Sequence, residues 1–481
     1  MQTIPVRKIN DFCWEIPKER GMNVPGRIFA SDHLIDHILN EDSLVQVRNV
    51  ATLPGIVRYS LAMPDIHSGY GFPIGGVGAT DIEKGGVISP GGIGYDINCG
   101  VRVMRTDLDK KDALARIETL VSGIYSTVPV GVGSEGAIHL TQNKLKEILK
   151  KGSRWAVEHG YGCEADLDAT ESNGCLTHAD PDALSKRAIE RGLNQSGTLG
   201  SGNHFVEIQV VEAIYDEKVA NAFGLYADQV VVMLHTGSRG LGYQVCEDFI
   251  NAMRNVPKKY GYDLPDRQLV CAPFNSPEGQ KYFGAVCAAA NYAWSNRQYL
   301  MALVRRVFET VYMKSWQQLG MNLIYDVAHN IAKIEKHTVD GVEKTLCVHR
   351  KGATRAFPAG HPEVPKKYRN VGQPVLVPGD MGTNSYIMVG TDKCMSESFG
   401  SMCHGAGRML SRSEAKRRYT PDEVFKELHS KGIAIMAKGR STVVEEASGA
   451  YKNIDEVIEA VVGAGLARKV ARMRPIGVVK G

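Results

Sequence analysis

Cys99 lies in the run GGIGYDINCGVR, residues 91–102, among glycines, carboxylates and amides rather than the apolar neighbours of a packing thiol. Three histidines have equally unusual settings: His204 in SGNHF, His235 in VVVMLHTGSRG and His329 in YDVAHN. With the carboxylate of Asp96 they offer one sulfur, three imidazoles and an oxygen, a donor set for a divalent transition metal. His235 and His329 each follow a short apolar run, VVVML and LIYDVA, which places an imidazole at a strand end where a rigid scaffold meets a cleft. That set points to an enzyme.

Because these ligands are spread from residue 96 to residue 329, a domain boundary between them would split the site, and we expect one catalytic domain over residues 1–481. Apolar residues at 43% and charged residues at 23% suit a chain with an ample buried core. A net charge of +4 is too small to mark a nucleic-acid partner by itself; only a local basic patch would do so. The first thirty residues carry no apolar stretch of the signal-peptide kind, and no apolar run approaches a membrane span, so export and membrane insertion are not expected. The ten cysteines are scattered with no CxxC pair, as reduced thiols of a cytoplasmic protein would be. Cys287, in FGAVCAAA, reads as a small helix-packing residue. Most other histidines, His139 among them, sit in polar or helical contexts that call for no chemistry.

Apolar residues at three-and-four spacing predict helices over 110–126, 143–151, 283–316, 421–430 and 454–473. Runs rich in Val, Ile and Tyr predict strands over 101–106, 205–211, 230–234, 323–327, 375–377 and 386–389. No βα repeat of constant length emerges, so the expected class is α+β, with mixed or antiparallel sheets flanked by helices. Glycines gather in loops at 69–78, 85–94, 197–202, 237–242, 378–382 and 404–408, where backbone amides can form concave nests for phosphate. No GxxxxGK[ST] occurs, and GSRGLG has its glycines in the wrong order for a dinucleotide fingerprint.

Long and chemically odd motifs run nearly end to end: WEIP, VPGRIFA, LPGIVRYSLAMPD, HSGYGFPIGG, GGIGYDINCGVR, GTLGSGNHFVEIQ, LHTGSRGLG, AHN, VHRKGATRAF, PGDMGTNSY, HGAGR, GAYK and RPIGVVKG. In these the chain resembles the RtcB-type RNA ligases, which join RNA 3′-phosphate or 2′,3′-cyclic phosphate ends to 5′-hydroxyl ends in tRNA splicing or RNA repair. The resemblance implies two manganese ions on Asp96, Cys99, His204, His235 and His329, with the Cys99 thiolate bridging or approaching both. Zinc is the chief competitor for such donors. It implies that His404 of HGAGR attacks the α-phosphate of GTP, giving a histidine–GMP and then an RNA(3′)pp(5′)G end. Nucleotide contacts are implied at Asn203, Glu207, Asn330, Pro378, Gly379, Asp380, Met381 and Ser385, and at Gly405, Ala406, Gly407, Tyr451 and Lys480. Glu207 or another carboxylate would accept the guanine N1 and N2 protons, and Tyr451 would stack on the base. Arg239, Lys351, Arg355 and Arg408 would hold RNA phosphates. Lys480, taken alone, reads as part of a frayed tail; the resemblance makes it a site residue.

Asp380 and Asn384 stand where the resemblance leads us to expect Ser and a small residue, and Ser448 where it leads us to expect Pro. A carboxylate near an α-phosphate repels it unless turned away, protonated or bound to metal. A manganese-dependent phosphodiesterase or nucleotidyltransferase on the same scaffold is the alternative activity, and neither hydrolysis nor simple binding needs His404 as a covalent carrier. The implied partners are RNA ends, tRNA halves included, GTP, and an archease-type activator.

Overall fold

The helix Pro277–Tyr312 is buried over most of its 36 residues, and its small and apolar residues face neighbours on all sides. Ser276 caps it by accepting from the Gly279 N–H, Pro277 opens its first turn, and it ends where Met313 turns to φ 53°. Leu300, Met301, Val304 and Phe308 pack it onto Met104, Val206, Ile208 and Val232 of a large sheet. The computed structural model describes residues 4–481 apart from 132, 137 and 139, so His139 lies outside the described residues.

That sheet orders its strands Leu323–Ala328, Gly100–Asp109, Gln229–Thr236, Phe205–Ile214, Ala467–Lys480, Ser385–Gly390 and Pro374–Val377, the neighbouring pairs all antiparallel. Ala434–Ala437 adds to Ala467–Lys480 in parallel. A second, seven-stranded sheet is mixed: Gly26–Phe29 pairs parallel with Ile56–His67, which continues antiparallel through Ile74–Asp81, Val342–Lys351 and Asn330–Val339. Residues of both sheets, such as Val77, Val348, Val375 and Met388, share one apolar cluster with the helix Ile454–Gly463. The architecture is α+β with mixed and antiparallel sheets flanked by helices, as expected. No described helix is long and apolar enough to cross a membrane.

Two helix predictions need correction. The stretch 454–473 is helical only to Gly463; Gly465, at φ 76°, turns the chain, and Ala467–Lys480 is a strand. Apolar residues there alternate with basic ones, which fits a strand as well as helical spacing does. The stretch 110–126 is two helices, Lys110–Leu114 and Ile117–Thr127. Lys480 is no frayed end: it closes a central strand and is 3% exposed.

Candidate metal centre and nucleotide cavity

Antiparallel pairing brings the ligand candidates together at one edge of the large sheet. Cys99 and His204 directly precede the strands Gly100–Asp109 and Phe205–Ile214; His235 is the last residue but one of Gln229–Thr236, and His329 follows Leu323–Ala328. These are four adjacent strands, two starting and two ending at this edge. The His329 N–H donates to the Cys99 carbonyl at 2.9 Å, fixing the outer pair.

The donor atoms form a chain. Asp96 Oδ2 lies 3.0 Å from His204 Nε2, which lies 3.3 Å from Cys99 Sγ. Cys99 Sγ is in turn 3.2 Å from His235 Nε2, itself 3.3 Å from His329 Nε2. Two ligands on one ion, each at about 2.0–2.3 Å, stand about 3–3.5 Å apart, so these spacings fit metal coordination. The buried Cys99, His204 and His235 cluster could hold a metal ion. His329 Nδ1 has no hydrogen-bond partner among the described residues.

Buried groups hold this edge in place. Arg297, from the long helix, donates to the carbonyls of Asn98 at 2.7 Å and Thr236 at 2.9 Å, the residues beside Cys99 and His235. Its charge is met by Asp326, at 2.8 and 2.9 Å. Asn98 takes the left-handed conformation at φ 54°, and its side chain donates to the Ala290 carbonyl of the same helix at 2.7 Å. A Cβ on Gly237 would stand 2.2 Å from an Asp96 carboxylate oxygen, so glycine is required there.

Burial dominates the protonation of the centre. It pushes the Cys99 thiol well up, and it drives His235 and His329 well below the ordinary histidine range, helped by the neighbouring imidazoles. For Asp96 burial acts upward, but the hydrogen bond and charge of His204 and the charge of Arg239 hold it down at about 2. Burial thus favours the neutral imidazoles that a metal requires and holds the thiol protonated until a metal displaces its proton.

A cavity of about 920 Å³ opens on this centre, lined by Cys99, His235 and His329 on one side and by the HGAGR loop on the other. His404 is held by Asp65: its Nδ1 lies 2.6 Å from Asp65 Oδ2, which also accepts from the His404 N–H at 3.0 Å and the Gly405 N–H at 3.3 Å. In the tautomer whose Nδ1–H donates to that carboxylate, Nε2 keeps its lone pair. The His404 and His329 rings are 4.9 Å apart. Gly407, at φ 73°, is pressed against the chain at Asp65, where a Cβ would meet the carbonyl at 2.2 Å. Asp65 was missed in the sequence; its only signal there is a lone carboxylate in the otherwise apolar run LAMPDI.

Most expected nucleotide residues line the same cavity: Asn203 and Asn330, the loop from Pro378 through Gly379 and Asp380 to Met381, Gly405, Ala406 and Gly407, and Tyr451 with Lys480. Lys480 Nζ donates to the Gly202 carbonyl at 2.8 Å. Glu207 and Ser385 sit behind this wall, both bonded to Gln209 Nε2, at 2.7 and 3.0 Å. Burial raises the Glu207 carboxyl, against the pull of Gln209 and Lys480. The side chain of Asn330 bridges the Asp96 carbonyl, at 3.1 Å, and the Gly352 N–H, at 2.9 Å.

The cations expected at RNA are not equally free. Arg239 stands 3.1 Å from His204 Nδ1, at the start of Arg239–Ala252. Lys351 donates to the carbonyls of Tyr70 and Phe72, and burial pushes its ammonium down to about 7. Arg408 is held by Glu446, Tyr451 and the Glu445 carbonyl. Arg355 is 1% exposed, bonded to Gln373 and ion-paired with the half-exposed Glu363, so the expectation that it meets RNA phosphate is corrected: its guanidinium is buried and already engaged.

A buried thiol–imidazole cluster that could hold a metal ion thus faces a loop-borne histidine across a cavity of about 920 Å³. The family model described as tRNA-splicing ligase RtcB matches residues 46–481. The chain is 53% identical over 481 residues to the tRNA-splicing ligase RtcB of Thermococcus kodakarensis, covering 100% of both chains. It is 54% identical over 478 residues to that of Archaeoglobus fulgidus, covering 99% of each, and 51% identical over 481 residues to that of Aeropyrum pernix, covering 99% of this chain and 100% of the relative. The chain belongs to the RtcB family.

Proposed function

We propose that this protein is a GTP- and manganese-dependent RNA ligase that joins 3′-phosphate or 2′,3′-cyclic phosphate ends to 5′-hydroxyl ends, with His404 as the covalent nucleotide carrier. The observation that carries the reading is the Asp65–His404 pair facing the donor chain across one cavity. In that chain Cys99 is the central atom, so Asp96, His204 and Cys99 would hold one ion, and Cys99, His235 and His329 a second. Manganese bound there would supply positive charge to neutralise the triphosphate as pyrophosphate leaves.

His404 Nε2 attacks the α-phosphate of GTP and a P–O bond to pyrophosphate breaks, leaving GMP on the imidazole. Asp65 keeps the ring in the reactive tautomer and stabilises the positive charge that develops on it. The RNA 3′-phosphate takes the GMP from His404, and the 5′-hydroxyl oxygen then displaces GMP to make the phosphodiester. A cyclic end is first hydrolysed to the 3′-phosphate. The loop 378–381 and the HGAGR loop offer backbone amides to the phosphates, Glu207 and Tyr451 serve the guanine, and Arg239 serves the RNA phosphate. Arg408 and Lys351 act by positioning Tyr451 and the Tyr70 loop.

The test is incubation with labelled GTP and manganese, denaturing electrophoresis, and ligation of end-defined RNAs. A labelled protein band, and joining of 3′-phosphate to 5′-hydroxyl RNA with the junction phosphate from the 3′ end, is expected. A junction phosphate derived from the 5′ strand would overturn the reading.

A further inference from the structure

Beside the metal centre the cavity wall becomes aromatic. Tyr95 directly precedes Asp96, and both it and Tyr70 line the cavity. The Tyr70 ring meets Tyr95 edge-on at 5.8 Å, Tyr95 stacks on Tyr243 at 4.8 Å and 25°, and the Arg191 guanidinium stands 5.3 Å from the Tyr243 ring. The row therefore leads from the cavity to the surface, where Tyr243 is 44% exposed. Tyr243 lies one helical turn after Arg239, on the same helix face.

These rings do not behave as core residues. Tyr70 and Tyr95 are only half-buried and Tyr243 is exposed, so the row is open to the cavity and to solvent rather than sealed in the core. Their scaffold is nonetheless stiff. Lys351 grips the Tyr70 carbonyl, the Gly71 N–H donates to Gln268 Oε1 at 2.9 Å, and Arg191 is fixed by a bond to Gln244 Oε1 at 3.1 Å. Rigid aromatic faces with a guanidinium at the end, beside a site for phosphate chemistry, match what single-stranded nucleic acid requires: stacking surfaces indifferent to base identity, and a cation at the backbone.

We propose that Tyr70, Tyr95 and Tyr243, with Arg191, form a stacking path for the unpaired bases adjoining the reacting phosphate of the RNA. The proposal rests on the RNA-ligase reading above and names how that substrate is gripped. It makes the enzyme a reader of unpaired ends rather than of base sequence.

The test measures binding of a short single-stranded RNA with a 3′-phosphate to the full chain by fluorescence anisotropy, with a matched oligonucleotide that lacks its two terminal bases. Tyr243→Ala and Tyr95→Leu should each weaken binding of the intact RNA about tenfold, the range for losing one base–aromatic stack, while Tyr243→Phe binds as the parent does. The abasic oligonucleotide should bind more weakly and be indifferent to all three substitutions. Unchanged affinity in Tyr243→Ala and Tyr95→Leu, or an equal loss with the abasic RNA, overturns the stacking path. GMP uptake on His404 is measured in parallel: its absence in the parent protein overturns the ligase reading, whereas normal uptake with unaltered RNA affinity in the variants overturns only the path.

Discussion

Ser448 donates its hydroxyl to Asp380 Oδ1 at 2.6 Å, joining across the fold two positions at which this chain departs from what its family resemblance leads us to expect. Asp380 Oδ1 also accepts from the Gly382 N–H at 2.9 Å, and Oδ2 from the Thr383 hydroxyl at 2.8 Å. The carboxylate is thus turned onto its own loop and the 448–450 turn, which answers the repulsion expected beside a phosphate. Ser448→Ala frees one lone pair of that carboxylate towards the cavity, and the KM for GTP should rise about fivefold, as for the loss of a bond of about 1 kcal/mol. Asp380→Ser should suppress the effect of Ser448→Ala, and a double-mutant cycle on KM checks the coupling.

Glu207 gives the site a pH dependence. Burial raises its carboxyl, so in the empty site it holds its proton to higher pH than an ordinary glutamate. Two guanine N–H donors favour the ionised form, so binding releases that proton, and guanine affinity should rise with pH by up to tenfold per unit until Glu207 is ionised in the free protein. Titration of GTP binding across pH 6–9, with Glu207→Gln as control, checks it; the variant should show a flat profile and poor preference for GTP over ATP.

The donor chain makes a stoichiometric prediction. Asp96 sits at one end and Cys99 at the centre, so Asp96→Ala should lower bound manganese from two ions per chain to about one, whereas Cys99→Ala should abolish both. Elemental analysis of refolded or dialysed protein with circular dichroism as a fold control reads this directly. Equal metal content in the two variants would remove Cys99 from the bridging position.

The ligand candidates stood out in the sequence as a set: a single imidazole at a strand end is more often a core residue, but three of them together with a thiol beside Asp96 and Asn98 make poor packing company. Six strands of the large sheet were legible too, since they are apolar runs such as Gln229–Thr236, but the central Ala467–Lys480, whose basic residues interrupt its apolar ones, reads in part as helix. The second sheet was not legible. Ile56–His67 and Ile74–Asp81 are broken by Pro64 and glycines, and Asn330–Val339 interleaves lysine and glutamate with its apolar residues. Glu335 and Lys333 there are buried because Arg350 and Glu171 neutralise them from other segments. Arg297 and Asp65 were hidden for the same reason: each is a charge inside an apolar element, and its role is set by partners distant in sequence that no local pattern announces.

Asp65 allows the nucleophile to be tested without deleting it. His404→Ala should lose the labelled GMP adduct and sealing from a 3′-phosphate end, retain both metal ions, and still seal RNA supplied with a preformed ppG end, because that substrate bypasses the step in which the imidazole acts. Asp65→Asn keeps the shape of the pair but exchanges a carboxylate for an amide, which can present its N–H to Nδ1 and so turn the Nε2 lone pair into an N–H. The rate of adduct formation should then fall by about a hundredfold or more with metal content unchanged, and sealing of the ppG end should persist as in His404→Ala. The adduct itself should be labile to acid and comparatively stable to alkali, since protonating the P–N nitrogen makes imidazole a better leaving group. Peptide mapping under non-acidic conditions checks the site: GMP mass on a lysine, or on another histidine, would unseat His404, and normal adduct rates in Asp65→Asn would show that the 2.6 Å contact only holds the loop.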